Sequence, residues 1–69
     1  MAHYRLYFLS GSDGHIVRFE PIEARDDREA AWLAEAHVGA RPLELWDKGR
    51  RVGSWAAVEA AGSQPQLAT

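Results

Sequence analysis

The segment RPLELWDKGRRVGSW, residues 41–55, constrains the fold most strongly, because two short apolar segments in it flank a charged turn. Successive side chains of a β-strand point to opposite faces of the sheet. If Leu43 and Leu45 face the interior, Trp46 must face the other way in every hairpin register. The stretch therefore predicts a hairpin with one large aromatic side chain on the face away from the core.

The face of Trp55 depends on the register of this hairpin. A loop of two or four residues pairs Trp46 with Arg51, which turns Val52 inward and places Trp55 outside beside Trp46. A three-residue loop with a glycine bulge would instead turn Trp55 inward and Val52 outward. A two-residue loop needs Lys48 at a positive φ, which is unfavourable for a residue with a Cβ. We therefore predict the four-residue loop and an outward Trp55.

A first hairpin is predicted upstream, because HYRLYFL and HIVRFEPI are strand-like and the turn signal SGSDG separates them. The first of these strands has apolar side chains on both faces, which is typical of a central strand. In the second strand, Val17 and Phe19 are expected to form the apolar face. Pro21 has no amide hydrogen to donate, so this strand is expected at an edge of the sheet or to end there.

A helix is predicted within ARDDREAAWLAEAHVG, residues 24–39. Asp26 is a favourable N-cap residue, and Glu29 three positions later completes a capping-box pattern. One face of this helix carries an apolar, alanine-rich stripe made of Ala30, Leu33, Ala34 and His37.

The order strand, strand, helix, strand, strand predicts an α+β fold: a two-layer ββαββ domain with a four-stranded antiparallel sheet and one helix on one face. The predicted strands cover residues 3–9, 15–22, 41–48 and 50–55. Residues 1–55 form a single domain in this interpretation, and residues 56–69 are expected to be a flexible tail with few apolar anchors.

Size and composition limit what the protein can do. A chain of 69 residues buries a small core and has no cysteine to form disulfides or a cysteine-based zinc site, so self-association is the stabilising device that remains. A net charge of −2 argues against general nucleic-acid binding. The chain has no long apolar run and no signal-peptide pattern, so we expect no membrane span and a cytoplasmic location.

The candidate catalytic and metal-binding residues form no convincing constellation. Ser10, Asp13 and His15 lie within one turn, where the members of a catalytic triad cannot take up their separate roles. The other two histidines, His3 and His37, lie on a terminus and on the helix, without the close spacing of metal ligands. We therefore expect a non-enzymatic protein with no catalytic residues, no metal and no cofactor.

The outer face of the predicted sheet is the candidate interaction surface, because a single helix covers only one face. Its expected binding residues are Tyr7, Leu9, Trp46, Arg51 and Trp55, bordered by Arg5 and Glu44. Such an apolar patch is larger than a small monomer normally exposes, which predicts a protein-interaction module that forms a homodimer through this face. Two alternatives remain: the arginine stems cover the rings, or the face binds a small ligand or nucleic acid in a regulatory role.

The segments YRLYFLSGSDGHI and DDREAAWLAEAHVGARPLELWDKGRRV resemble a group of very short bacterial proteins common among alphaproteobacteria. That group shares a YRLYFL…GHI opening, a capped alanine-rich helix that begins at a double aspartate, and an ELW…R.V hairpin. The resemblance covers about residues 3–55, with Ser10 where the group often has an aspartate. It implies the ββαββ fold and no known activity.

Overall fold

The computed structural model describes residues 1–58. Its elements are β1 (Ala2–Leu9), β2 (Ile16–Ala24), α1 (Asp27–Glu35), β3 (Leu43–Asp47) and β4 (Arg50–Trp55). The strands form one antiparallel sheet in the order β2-β1-β3-β4, with the helix on one face. The predicted α+β fold with ββαββ order is confirmed, and β1 is central, as its two apolar faces predicted.

The first hairpin closes through backbone hydrogen bonds in its loop. The amide of Ser10 donates to the carbonyl of His15 at 2.7 Å, and the amide of Gly14 donates to the carbonyl of Ser10 at 3.0 Å. Gly14 has a φ of 79°, a left-handed conformation that glycine adopts without steric cost. The strand β2 lies at an edge of the sheet, as Pro21 predicted, but it continues past the proline to Ala24.

The apolar contribution of β2 to the core comes from its C-terminal end. Ile22 and Ala24 are 8% and 0% exposed, whereas Phe19 is paired with Tyr7 and is 50% exposed. The register of β1 and β2 shifts near Val17, which has no partner in β1. The expected apolar face built on Val17 and Phe19 therefore does not face the helix, because Phe19 lies on the other side of the sheet from Ile22.

The helix begins at the predicted cap. The Asp26 side chain accepts a hydrogen bond from the Glu29 amide at 2.9 Å. The Glu29 carboxylate in turn accepts from the Arg25 amide at 2.7 Å. Both bonds satisfy backbone donors that have no partner within the helix, although the Glu29 carboxylate binds the amide one residue before the cap and not that of Asp26 itself.

The helix contacts the sheet through the small residues of its stripe. Ala30 and Ala34 are fully buried, and Leu33 packs partly buried against the same core. His37 follows the end of the helix and is exposed, with its ring 5.8 Å from that of Phe8 in an edge-on arrangement. The small side chains allow the helix to lie close to the sheet.

The core lies between the helix and the central strands. Its buried side chains are Tyr4, Leu6, Phe8, Ile22, Ala24, Ala30, Ala34, Leu43 and Leu45. The two leucines of β3 are 1% and 0% exposed, and Trp46 between Leu45 and Asp47 points to the opposite face. The prediction that Trp46 lies on the face away from the helix is confirmed.

The turn of the second hairpin differs from the prediction. Asp47 pairs with Arg50, so the loop contains two residues, Lys48 and Gly49, and the predicted four-residue loop is wrong. Lys48 adopts the positive φ of 55° that the sequence argument disfavoured. An ion pair of 2.9 Å between the Arg50 and Asp47 side chains closes the turn and favours the tight loop.

A bulge in β4 changes the register beyond the turn. Trp46 pairs with Arg51, as predicted, but Leu45 pairs with Gly53 instead of Val52. Val52 is therefore an extra residue in β4, opposite no residue of its own in β3. The bulge shifts every later residue of β4 by one position relative to β3.

The bulge turns Trp55 toward the helix. Trp55 pairs with Leu43 and packs, half-buried, against the core together with Val52. The prediction that Trp55 lies outside beside Trp46 is wrong, because it assumed a regular ladder in which only one of these two side chains can face inward. Gly53 leaves room for the indole, since a Cβ there would lie 3.1 Å from Trp55 Cη2.

Residues 56–58 have no regular secondary structure, and the Val58 amide donates to the Gly39 carbonyl at 2.7 Å. The rest of the predicted flexible tail, residues 59–69, lies outside the described residues. Within residues 1–58, no helix combines the length and the apolar character needed to cross a bilayer.

Candidate functional site

The outer face of the sheet, on the side away from α1, carries a row of aromatic side chains across its two N-terminal strands. Tyr7 of β1 lies between Phe19 of β2 and Glu44 of β3. The rings of Tyr7 and Phe19 are in contact, with centroids 6.0 Å apart and planes tilted by 51°. Leu9 follows Tyr7 two positions later and is also partly exposed. This row is an exposed apolar surface on the central part of the sheet.

A second row, next to the first, combines aromatic and basic side chains. Arg5 lies between Pro21 of β2 and Trp46 of β3, and Trp46 pairs with Arg51 of β4. The Arg5 guanidinium leans toward β2, with its Cζ 5.3 Å from the centre of the Phe19 ring. Such a cation–π contact shields part of the ring and holds the guanidinium near the sheet.

Glu44 fixes the orientation of Trp46 on this face. The Trp46 Nε1–H donates to a Glu44 carboxylate oxygen at 3.0 Å. The other oxygen of Glu44 is 3.5 Å from an Arg51 nitrogen. Glu44 and Trp46 are both half-buried, and the indole is therefore held in one position with its polar group satisfied.

A groove of about 380 Å³ runs over β1 on the outer face. Pro21 and Glu23 line one side of the groove, and Trp46 and Lys48 line the other. Arg5 of β1 lies at the bottom of the groove. Neither Arg5 nor Lys48 forms an ion pair with a carboxylate among residues 1–58, whereas Glu23 approaches His3 at 3.6 Å.

The structure brings together four of the five predicted binding residues. Tyr7, Leu9, Trp46 and Arg51 share the outer face, and Trp55 lies on the helix side. Phe19 and Pro21 complete the face and were missed by the sequence reasoning, although their spacing of two residues places them on one side of β2. The spacing did not show whether this side faces the helix, because Ile22 and Ala24 are also two residues apart and share the other side of β2.

On the opposite side of the sheet, a polar network joins the start of the helix to the strands. The Tyr4 hydroxyl donates to the Asp27 carboxylate at 2.8 Å. Arg50 donates twice to Asp27, at 2.8 and 3.1 Å, and once to Asp47, at 2.9 Å. Every charged group in this network has a partner, which is typical of a structural role.

The pKa values of the network follow from these contacts. Burial, assisted by the hydrogen bond to Asp27, raises the pKa of Tyr4 to about 12. The hydrogen bonds from Arg50 and Tyr4 lower the pKa of Asp27. The two carboxylates raise the pKa of Arg50, so the guanidinium stays charged.

The serine, aspartate and histidine of the first loop form local contacts. His15 Nδ1 hydrogen-bonds to the Asp13 carboxylate, and this bond lowers the pKa of Asp13. The hydroxyls of Ser10 and Ser12 lie 2.9 Å apart and bond to each other, and neither bonds to His15. Among residues 1–58, no three histidine, aspartate or glutamate side chains are grouped as a metal site.

Comparisons with protein families, with curated proteins and with solved structures give no match for this chain. The resemblance to the group of short bacterial proteins therefore stays a prediction.

Proposed function

We propose that the protein is a non-enzymatic interaction module that forms a homodimer through the outer face of its sheet. The main support for this proposal is that the helix covers only one of the two faces of the sheet. The helix buries one face, while Phe19 remains 50% exposed beside the partly exposed Tyr7 and Trp46 on the other. Contiguous exposed aromatic surface on a small domain is characteristic of an interface.

The arginine stems do not provide enough cover for this face. Arg51 is drawn toward Glu44, and Arg5 lies over Phe19, yet Phe19 stays 50% exposed. Removing this apolar surface from water stabilises a dimer by roughly 25 cal/mol for each Å² buried. A domain with a small core gains from such burial, because association adds to the stability of the folded chain.

The path of residues 56–58 also leaves the outer face open to a partner. Val58 is bonded to Gly39, which follows the helix, so residues 56–58 run toward the helix layer and not across the outer face. Within residues 1–58, the contact recorded over these two rings on the outer face is that of the Arg5 guanidinium with Phe19. A cytoplasmic location for the module stays a prediction.

The proposal is tested by sedimentation velocity on the full chain and on Phe19→Lys. We expect the natural chain to sediment as a dimer at micromolar concentrations and Phe19→Lys to sediment as a monomer with an unchanged far-ultraviolet circular dichroism spectrum. Trp32→Lys is the matched control, because Trp32 is 69% exposed on the helix and should leave the dimer intact. A natural chain that is monomeric at high micromolar concentration would refute the proposal.

The groove over β1 favours a second candidate function, the binding of a small anion. Arg5 and Lys48 give it unpaired positive charge, and Trp46 offers a planar surface on which a ring can stack. Tryptophan fluorescence titrations with mononucleotides and short oligonucleotides test this candidate. A saturable change that Arg5→Ala abolishes supports it, and flat titrations exclude it for these ligands.

A further inference from the structure

We infer that the two copies pack outer face to outer face about a two-fold axis parallel to β1, so that β2 of each copy lies over β3 of the other. This inference rests on the proposed homodimer and specifies its geometry. It follows from the charges and shapes on the two sides of the groove. Stacked sheets in proteins commonly keep their strands within about 30° of each other, as this arrangement does.

The symmetry determines which side chains meet. A two-fold axis along β1 exchanges the left and right sides of the sheet, so each residue of β2 faces the residue of β3 that pairs with the same residue of β1. Pro21 and Trp46 both pair with Arg5, and Pro21 therefore faces Trp46 of the partner subunit. Glu23 pairs with His3, two residues before Arg5, and Lys48 is the first turn residue, two positions after Trp46 and on the same groove. Extending the register of β1 and β3 by two residues therefore puts Glu23 opposite Lys48 of the partner subunit.

The facing charges are opposite in sign. Glu23 is exposed and has only His3 within ion-pair distance, and Lys48 has no carboxylate partner among residues 1–58. The axis forms the Glu23–Lys48 pair twice, once in each direction. Two exposed charges of opposite sign, neither paired with a lysine, an arginine or a carboxylate of its own copy within residues 1–58, lie on either side of one strand, and an isologous interface of this symmetry brings them together.

The position of Arg5 agrees with the same axis. Two Arg5 side chains near a two-fold axis would repel each other if they pointed straight out from β1. The guanidinium instead leans over Phe19 of its own β2, away from the axis. Phe19 faces Glu44 of the partner subunit, because Phe19 and Glu44 both pair with Tyr7. The lean therefore brings each Arg5 toward a carboxylate of the other copy.

Charge-reversal variants test the axis. We expect Glu23→Lys alone and Lys48→Glu alone each to weaken the homodimer at least about tenfold, since each variant places like charges opposite each other twice. An equimolar mixture of the two variants should form a heterodimer of nearly natural affinity, because each altered side chain then faces its opposite charge. Sedimentation equilibrium gives the affinities, and a mass-labelled chain distinguishes the heterodimer.

Matched controls carry the same changes in charge on the helix. Glu35→Lys and Arg28→Glu are exposed positions away from the outer face, and neither should weaken the dimer nor favour mixing. If Phe19→Lys breaks the dimer but the reversals at Glu23 and Lys48 do not, the outer face is the interface and the inferred axis is wrong. If single reversals weaken the dimer but mixing restores nothing, the pairing of these two residues is also wrong. A monomeric natural chain removes the proposed function and the axis together.

Discussion

At the scale of single residues, Lys48 is the position where local conformation and residue type disagree. Within residues 1–58 it is the one non-glycine residue with a positive φ, at 55°. In that region the Cβ approaches the following carbonyl oxygen, which costs most residues roughly 1–2 kcal/mol. The Asp47–Arg50 ion pair across the turn offsets part of this cost.

Replacing Lys48 by a residue that tolerates this conformation should stabilise the fold. We expect Lys48→Asn to raise the free energy of unfolding by up to about 1 kcal/mol, because asparagine adopts the left-handed region more readily. Urea denaturation of the dilute protein measures the change. Lys48→Ala removes the same charge but lacks the short polar side chain that lets asparagine hydrogen-bond locally in this conformation, so it should give no gain; equal gains from both variants would contradict the explanation.

Gly53 shows how the absence of a side chain can set the position of a large one. The indole of Trp55 lies over the Gly53 backbone, and a Cβ at residue 53 would meet it at 3.1 Å. The bulge beside Gly53 turns both Val52 and Trp55 toward the core. Together, Gly53 and the extra residue in β4 allow both Val52 and Trp55 to pack against the small core.

At the scale of secondary-structure elements, the network around Asp27 connects three of them. Asp27 is the first residue of α1, and it binds Tyr4 of β1 and Arg50 of β4. The lowered pKa of Asp27 means that its contribution to stability is present near neutral pH and is lost in acid. The raised pKa of Tyr4 has the opposite sign, because folding favours the protonated phenol.

The titration of Tyr4 should therefore reduce stability in alkaline solution. Its pKa rises from an ordinary value of 10.0 to about 12 in the folded protein, so the contribution is complete below pH 10 and is lost as the pH rises to 12. We expect the urea midpoint of the natural chain to fall across this interval and that of Tyr4→Phe to fall less. Tyr7→Phe, which keeps Tyr4, should follow the natural chain; parallel curves for Tyr4→Phe and the natural chain would contradict the assignment.

At the scale of the whole molecule, the decisive feature is one helix on a four-stranded sheet. The helix covers one face of the sheet and buries the core side chains there. The other face keeps its aromatic side chains partly in water, and a domain of this size has little stability to spare. Under the proposed function, folding and dimer formation are therefore coupled, and the stability of the fold depends on protein concentration.

Coupled folding and association predict a melting temperature that rises with protein concentration. A tenfold increase in concentration favours the dimer by about 1.4 kcal/mol shared between two chains, which corresponds to roughly 3–6 °C for a domain of this size. Circular dichroism melts over a hundredfold concentration range measure the shift. Phe19→Lys should melt at a temperature independent of concentration, and a natural chain that behaves in the same way would argue against a dimer.

Features that depend on near neighbours along the chain were predictable from the amino-acid sequence. The Asp26 cap, the order of the elements and the outward position of Trp46 were predicted because capping and strand alternation are local geometry. Four of the five predicted face residues followed from the same alternation.

Features that depend on how the strands meet one another and the helix became apparent in the folded molecule. It placed Phe19 on the outer face through the register of β2 on β1, and it turned Trp55 inward through a bulge opposite Leu45. A bulge changes which face every later side chain occupies, and its position is set by how well the shifted side chains pack against the helix. Alternation along a single strand contains no information about that packing.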